Sequence, residues 1–506
     1  MRMTGKRHPY SSDFKIGLDA DLKIQAYEVD FYQNAGAAAD LSPAILERTL
    51  FHHTNSYFVP NSRATASSCR TNLPPNTAFR GFGGPQGMFV IESAIATAAE
   101  ALGIDATVIQ EANLLEKGDS LPYGQKVAED NGLLCWNQAR DHFDIQRRQA
   151  EVTEFNASNA HFKRGLAHMP ICFGISFTNK ALNQSSALIH VYSDGSVGLN
   201  TGAVEMGQGV NTKMVQVAAS CLGINPERIR VEPTNTTRIA NTSPTAASSG
   251  ADLNGKAVEK ASLALLGRLQ ELARTKLAVA DGVIAIKNEQ VLLNGFATGL
   301  DWPTLVDAAY WSRVSLSEHA HYATPNLHFD KTLEKGVPFA YHVFGTAIFE
   351  VTVDCLRGRY SLDHVELVHD FGNCINDIVD LGQVEGGLVQ GIGWMTMEEV
   401  VFNEEGRCLS GALSTYKVPD IYSVPEKLVV HHLQTSGPES AIFRSKAVGE
   451  PPLMYGVGAY FALRNAVRAF VGSDRQINFH APMTPERVLM ALYGESAGQA
   501  PILEKS

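Results

Sequence analysis

The chain is 506 residues long, 44% hydrophobic and 19% charged, with a formal net charge of −11. That length accommodates about three units at roughly 150 residues each, with ample apolar material for sizeable cores. The acidic balance, with no basic run to reverse it, excludes a nucleic-acid binder, and no stretch approaches the ~18 consecutive apolar residues of a membrane span.

In chain order, the basic start MRMTGKRHPYSSDF has no apolar stretch behind it and is not a secretory signal. Leu22 to Gly36 alternates as a strand. Met88 to Leu102 has helical apolar spacing and stops at Gly103. Ser186 to Gly202 reads as a hairpin around Asp194-Gly195. The segment NTKMVQVAASCLG predicts a helix with Asn211 as N-cap and Gly223 as stop. Apolar residues at 253, 257, 261, 265 and 269 predict a long amphipathic helix. Thr346 to Gly372 reads as a second hairpin, turning at Arg357-Gly358. After Glu450, two prolines suit the first turn of a buried helix running through PPLMYGVGAYFALRNAVRAF, and Thr484-Pro485 caps a last short helix. Strands and helices interleave without a regular βαβ rhythm, so the expected class is α+β. A polar stretch over 156–164 marks a boundary between a first unit, 1–160, and a second, 161–506.

Seven cysteines (Cys69, Cys135, Cys172, Cys221, Cys355, Cys374, Cys408) are odd in number and form no CxxC pair. Reduced thiols in a cytoplasmic protein are expected, with no zinc or iron–sulfur spacing. Four segments rich in glycine or small residues stand apart: TAFRGFGGPQG, VEMGQGVNTK, NTSPTAASSGADLNG and SKAVGEPPLMYG. Each opens a helix, where exposed N–H groups and the helix dipole suit phosphate or other electron-rich ligands. None is a GxGxxG or GxxxxGK[ST], so they do not by themselves name the ligand.

Together, NTAFRGFGGPQ, EMGQGVNTKMVQVA, SPTAASSGADLNG, DLGQVEGGLVQGIG and KAVGEPPL resemble the molybdopterin-binding region of the xanthine dehydrogenase family, a branch of the molybdenum hydroxylases. The resemblance runs over essentially the whole chain. It implies a molybdenum held by a pterin's dithiolene sulfurs, with a sulfido ligand, inserting water-derived oxygen into a purine C–H bond. It also implies [2Fe–2S] clusters and FAD on a partner chain or further segments, with NAD or oxygen as acceptor, and a dimer of the complete assembly. By the same resemblance Glu450 is the base that takes the proton as hydride passes to the sulfido ligand. The rival reading is a helix-capping acid.

The remaining roles also rest on the resemblance. Phe82 and Phe177 hold the substrate ring by face and edge, and Thr178 hydrogen-bonds it. Arg48 contacts the purine and stabilises charge building on it; the rival reading is a surface arginine paired to an acid. Arg80 approaches the metal centre, and Phe79 is core. Met206, Gly207, Gln208 and Gln383 contact the pterin, with loop-satisfying polar side chains as the rival for the two glutamines. Ala246, Ala247, Ser248 and Ser249 line the metal and the cofactor's phosphate, Ala247 leaving room beside the molybdenum.

The family's earlier GGQ and GGGFGGKE segments are not in this sequence, whose Thr4, Gly5, Arg7 and His8 match a segment just beyond them. The expectation is a chain corresponding to the C-terminal two thirds of the molybdenum subunit. Its function is then the cofactor part of a purine hydroxylase converting hypoxanthine and xanthine to urate. The alternatives are a truncated non-catalytic fragment with exposed core faces, and an aldehyde oxidase-like hydroxylase, against which Arg48 speaks.

Overall fold

Alternating side chains near the start of the chain build a three-stranded sheet. In the computed structural model, which describes residues 5–473 and 475–494, β1 (Tyr10–Leu18) pairs antiparallel with β2 (Ile24–Gly36). Thr4 lies outside the described residues. The α1 helix (Ser42–Phe51) leads to β3 (Ser62–Arg70), which joins β2 in parallel. The expected helix at 88–102 begins a turn earlier, as α2 (Gly84–Leu102), and ends on Gly103 in the left-handed region. Then come α3 (Ala106–Ala112), α4 (Asn131–Phe143) and α5 (Ile145–Ser158).

The polar stretch at 156–164 is the connection from α5 to β4 (Phe162–Ile175). The first expected hairpin is β5 (Gln184–Val191) with β6 (Val197–Thr201), followed by α6 (Val210–Leu222), β7 (Ile229–Val231) and α7 (Gly250–Lys276). A three-stranded meander follows, β8 (Ile284–Lys287), β9 (Gln290–Leu293) and β10 (Phe296–Asp301), then α8 (Trp302–Trp311) and β11 (Ser317–Ala323). A short hairpin, β12 (His328–Asp330) and β13 (Lys335–Val337), precedes the second expected hairpin, β14 (Tyr341–Asp354) and β15 (Arg359–His369). The chain closes with α9 (Asp377–Thr396), α10 (Leu413–Tyr416), β16 (Lys427–His432), α11 (Pro451–Met454), α12 (Val457–Val471) and α13 (Pro485–Tyr493), the last capped by Thr484 as expected.

Two sheets carry the main cores. The order β16-β15-β14-β4 gives a sheet whose central strands are buried on both faces, α12 packing against β4 and β14 and α4 against β14 and β15. That double cover explains why β4 and β14 read as nearly continuous apolar runs. The order β11-β5-β6-β7 forms the second sheet, with α7 against β5 and β11 and α6 against β7. One core cluster joins Phe51, Leu115 and Cys135 to Cys172, Phe339 and Phe344, running across the α5–β4 connection. Among the described residues no single helix is long and apolar enough to cross a membrane, and all seven cysteines are free.

Two local expectations need correction. The N-cap of α6 is Gly209 rather than Asn211. The carboxylate of Glu205 reaches over the helix start, accepting from the N–H groups of Gly207 at 2.9 Å, Gly209 at 3.0 Å and Asn211 at 3.0 Å. The helix after Glu450 is broken into α11 and α12 around Tyr455-Gly456. There α9 crosses so closely that a Cβ on Gly456 would lie 2.1 Å from the Gly391 carbonyl carbon, and one on Gly391 2.0 Å from Leu453 O.

Candidate cofactor site

Glu450 sits at the N-cap of α11, yet its carboxylate caps nothing there. Instead the Ser248 hydroxyl donates to Glu450 Oε2 at 2.9 Å and accepts from the Glu450 N–H at 2.7 Å. The Glu450 side chain is buried, 9% exposed as a residue, and Oε1 carries no hydrogen bond among the described residues. Ser248 reaches this position on strained backbone. Ala247 and Ser248 both have left-handed φ, +55° and +56°, which costs about 1–2 kcal/mol per non-glycine residue. Tight neighbours hold the strain: a Cβ on Gly449 would meet Ser248 Oγ at 2.8 Å.

Arg80 clasps the same 448–450 segment. Its Nε donates to Gly449 O, Nη2 to Val448 O at 3.3 Å and Gln383 O at 3.2 Å, and Nη1 to Gln390 Oε1 at 3.4 Å. Burial lowers its pKa to about 10, against the opposing pull of Glu450, which leaves it charged at neutral pH. The loop that presents it runs through three left-handed residues, Gly81, Phe82 and Gly83. Gly83 has no alternative, since a Cβ would meet Ile45 O at 2.2 Å where the loop docks on α1. Thr49 Oγ1 donates to Gly83 O at 3.0 Å across that contact.

The same helix supplies Arg48, which is neither exposed nor paired to an acid. It is 2% exposed, with Nη1 on Ser176 O at 2.8 Å and Nη2 on Gly174 O at 2.6 Å. Its guanidinium lies 4.6 Å from the Phe173 ring centroid and 4.8 Å from that of Phe339, while Nε is left without an acceptor. Burial lowers its pKa, with Glu450 and Tyr123 opposing. His52 takes the Gly174 N–H on Nε2 at 3.1 Å, so Nδ1 carries the proton toward Arg48 O. The effect is to fix the end of β4 and hence the next residues, Phe177 and Thr178. Asn183 brackets Phe177 through its N–H and C=O at 2.8 and 2.9 Å. The Thr178 hydroxyl has no partner among the described residues.

The 204–209 turn connects to this site indirectly, through Val204 N–H on Thr245 Oγ1 at 2.9 Å and through Gly209 packed against Val379 of α9. Met206 is 64% exposed. The Gln208 amide closes the turn on itself, accepting from Met206 N at 2.6 Å and donating to Val204 O at 2.8 Å. The loop-satisfying reading therefore describes Gln208 here. Gln383 differs, for its side-chain amide has no partner among the described residues. Ala246 is exposed and Ser249 buried as the N-cap of α7. Around them, a Cβ on Gly207, Gly382 or Gly386 would meet nothing within 4 Å. Backbone open to close approach, an unpartnered amide at Gln383 and a partnered but one-sided carboxylate at Glu450 fit a large polar cofactor that brings its own metal ligands.

Sequence reasoning named Ser248 as a lining residue but not as the partner of Glu450. It missed Glu205 and Gln390 altogether; the acid just ahead of a glycine-led helix start was the signal for Glu205.

Three loop segments that meet at one buried carboxylate, with the 204–209 turn joined to them through Thr245 and Val379, give this α+β protein the layout of a cofactor site. The chain belongs to the molybdopterin cofactor-binding domain family of the molybdenum hydroxylases, whose two domain models match residues 1–114 and 138–425. It is 41% identical over 494 residues to xanthine dehydrogenase/oxidase of Mus musculus, covering 96% of this chain and 35% of that protein. The chain thus spans about a third of the length of the curated relatives it matches. Its fold matches quinoline 2-oxidoreductase from Pseudomonas putida 86 with a TM-score of 0.83 at 22% identity, covering 96% of this chain and 62% of that one. It also matches aldehyde oxidoreductase from Desulfovibrio gigas, with a TM-score of 0.80 at 25% identity, covering 97% and 50%.

Proposed function

We propose that the chain is the molybdopterin-holding part of a purine hydroxylase acting on hypoxanthine and xanthine, with the cofactor seated between 1–160 and 161–506. The observation that carries this reading is Glu450, a buried carboxylate at a helix N-cap that caps nothing and keeps Oε1 without a partner among the described residues. When bound, a molybdenum on its pterin with a sulfido ligand supplies the two-electron oxidation and the oxygen transfer to the substrate carbon.

The chain's own residues do the rest. Ser248 orients the carboxylate through Oε2, leaving Oε1 to accept the proton. Arg80 ties Gly449 and Val448, in the second unit, to a loop of the first, and lies beside the cofactor. Gln383, Met206 and Gly207 contact the pterin, Gln208 shapes the turn that presents Met206 and Gly207, and 246–249 line the metal side. Phe82 and Phe177 hold the purine by face and edge, Thr178 hydrogen-bonds it, and Arg48 stabilises the negative charge that builds on the ring in the transition state. The electrons leave through [2Fe–2S] clusters and FAD on other segments or a partner chain, in a dimeric assembly, and the seven free thiols suit the cytoplasm.

One observation favours a second reading, an aldehyde hydroxylase. Each Nη of Arg48 already donates to a backbone carbonyl, which leaves less of the guanidinium for a purine. The primary test is Glu450→Ala in the complete enzyme. Molybdenum content should stay intact while xanthine oxidation is lost; near-normal turnover per molybdenum would sink the assignment of the base.

A further inference from the structure

The segment that opens the described chain has no part in the chemistry above, yet it grips the loop that carries Arg80. Thr77 N–H donates to Lys6 O at 2.9 Å, and His8 Nε2 pairs with Ser42 Oγ at 2.7 Å. Gly5 is pressed so closely that a Cβ would lie 2.4 Å from Thr77 Cγ2. Between these anchors the Arg7 side chain turns inward. Its guanidinium carbon lies 4.3 Å from the Phe79 ring centroid and 4.7 Å from that of Trp394, and Nη2 donates to Arg80 O at 2.7 Å.

Arg7 is partly buried and makes no direct ion pair among the described residues, its opposite charges, Glu398 and Glu450, acting on it at longer range, and its Nε is buried without an acceptor. A methionine or leucine would fill the space against the two rings without a charge to desolvate. Packing alone therefore does not account for an arginine here. Its contacts do. On α9, Gln383, Gly387, Gln390 and Trp394 follow a helical stripe. Gln383 O and Gln390 Oε1 receive Arg80, Gly387 leaves room for its guanidinium, and Trp394 receives Arg7. One helix face thus holds both arginines, and Arg7 holds both the ring of Phe79 and the carbonyl of Arg80.

We propose that Arg7 is a positioning residue for Arg80 and, through the clasp of Arg80 on Val448 and Gly449, for Glu450. The inference rests on the roles given to Arg80 and Glu450 above. Its test is peptide-resolved hydrogen exchange on the purified 506-residue chain, which needs no cofactor. Arg7→Met should speed exchange about tenfold or more in peptides covering 76–87 and 444–456, as loss of a charge-assisted hydrogen bond implies. The α7 peptides, 250–276, should be unchanged. No acceleration at 444–456, or an equal acceleration through α7, overturns the proposal. Should Arg7→Met not accumulate as soluble protein, Phe79→Leu removes one of the two rings and must give the same local pattern; its absence also overturns the proposal. In the complete enzyme, at matched molybdenum content, Arg7→Met should lower kcat about tenfold with KM little changed. The two readings fail separately. Local acceleration together with a fully active Glu450→Ala enzyme leaves Arg7 in place and removes the assignment of Glu450 as the base. Unchanged exchange together with an inactive Glu450→Ala enzyme does the reverse.

Discussion

Replacing Ser248 by alanine removes two hydrogen bonds at once, the 2.9 Å donation to Glu450 Oε2 and the 2.7 Å acceptance from its N–H. A hydrogen bond to an ionised group is worth about 1.5–3 kcal/mol net, and a neutral one about 0.5–1.5 kcal/mol. If the first of these serves to aim the carboxylate, its loss corresponds to about a tenfold to hundredfold fall in rate. Ser248→Gly loses the same hydroxyl but relieves the left-handed φ of +56° by about 1 kcal/mol. The two variants should therefore share one kcat, measured per molybdenum on xanthine in the complete enzyme, while the glycine variant melts higher. Ser248→Thr keeps a hydroxyl on a β-branched residue ill suited to that φ, and should lose stability before it loses rate. An alanine variant with more than half of the native kcat per molybdenum would refute the argument. So would glycine and alanine variants that differ in kcat as much as in stability.

Arg48→Met should shift selectivity from purines toward aldehydes, and an unchanged ratio of the two kcat/KM values would count against a substrate-side role. Glu92 is buried and raised to about 7 by desolvation, against hydrogen bonds from Tyr57, Gln110 and Asn55. Its folded value lies above its unfolded one, so the folded state holds the extra proton and stability falls as pH rises from about 4.5 to about 7, by roughly 3 kcal/mol in the limit. Asp252, raised to about 6 by burial, acts in the same direction; Glu92→Gln should flatten part of this slope in thermal melts between pH 5 and 8, and an unchanged slope would contradict it. Gly391→Ala would gain about 1 kcal/mol of helix propensity. Its Cβ, however, would lie 2.0 Å from Leu453 O, a backbone atom that cannot give, so the variant should be destabilised, by melting temperature and soluble yield.

Elements whose cause is local are legible in the residues alone. The amphipathic stripe of α7, the Asp194-Gly195 and Arg357-Gly358 turns and the Thr484 cap follow from spacing and turn chemistry within a few residues, and each stands where expected. The family motifs also single out Glu450, Arg80 and the four loops. What tertiary structure decided is everything set by residues far apart in the chain. The start of α6 moved to Gly209 because a loop carboxylate competes for its amides, and the last long helix broke because α9 needs the room at Gly456. Arg48 has the sequence setting of a surface helix, yet two carbonyls 126 and 128 residues away bury it. Ser248 and Glu450 are separated by 202 residues, and Arg7 and Arg80 by 73. No periodicity encodes such pairs, because they exist only once packing has removed water from both partners and left each the other's hydrogen bond.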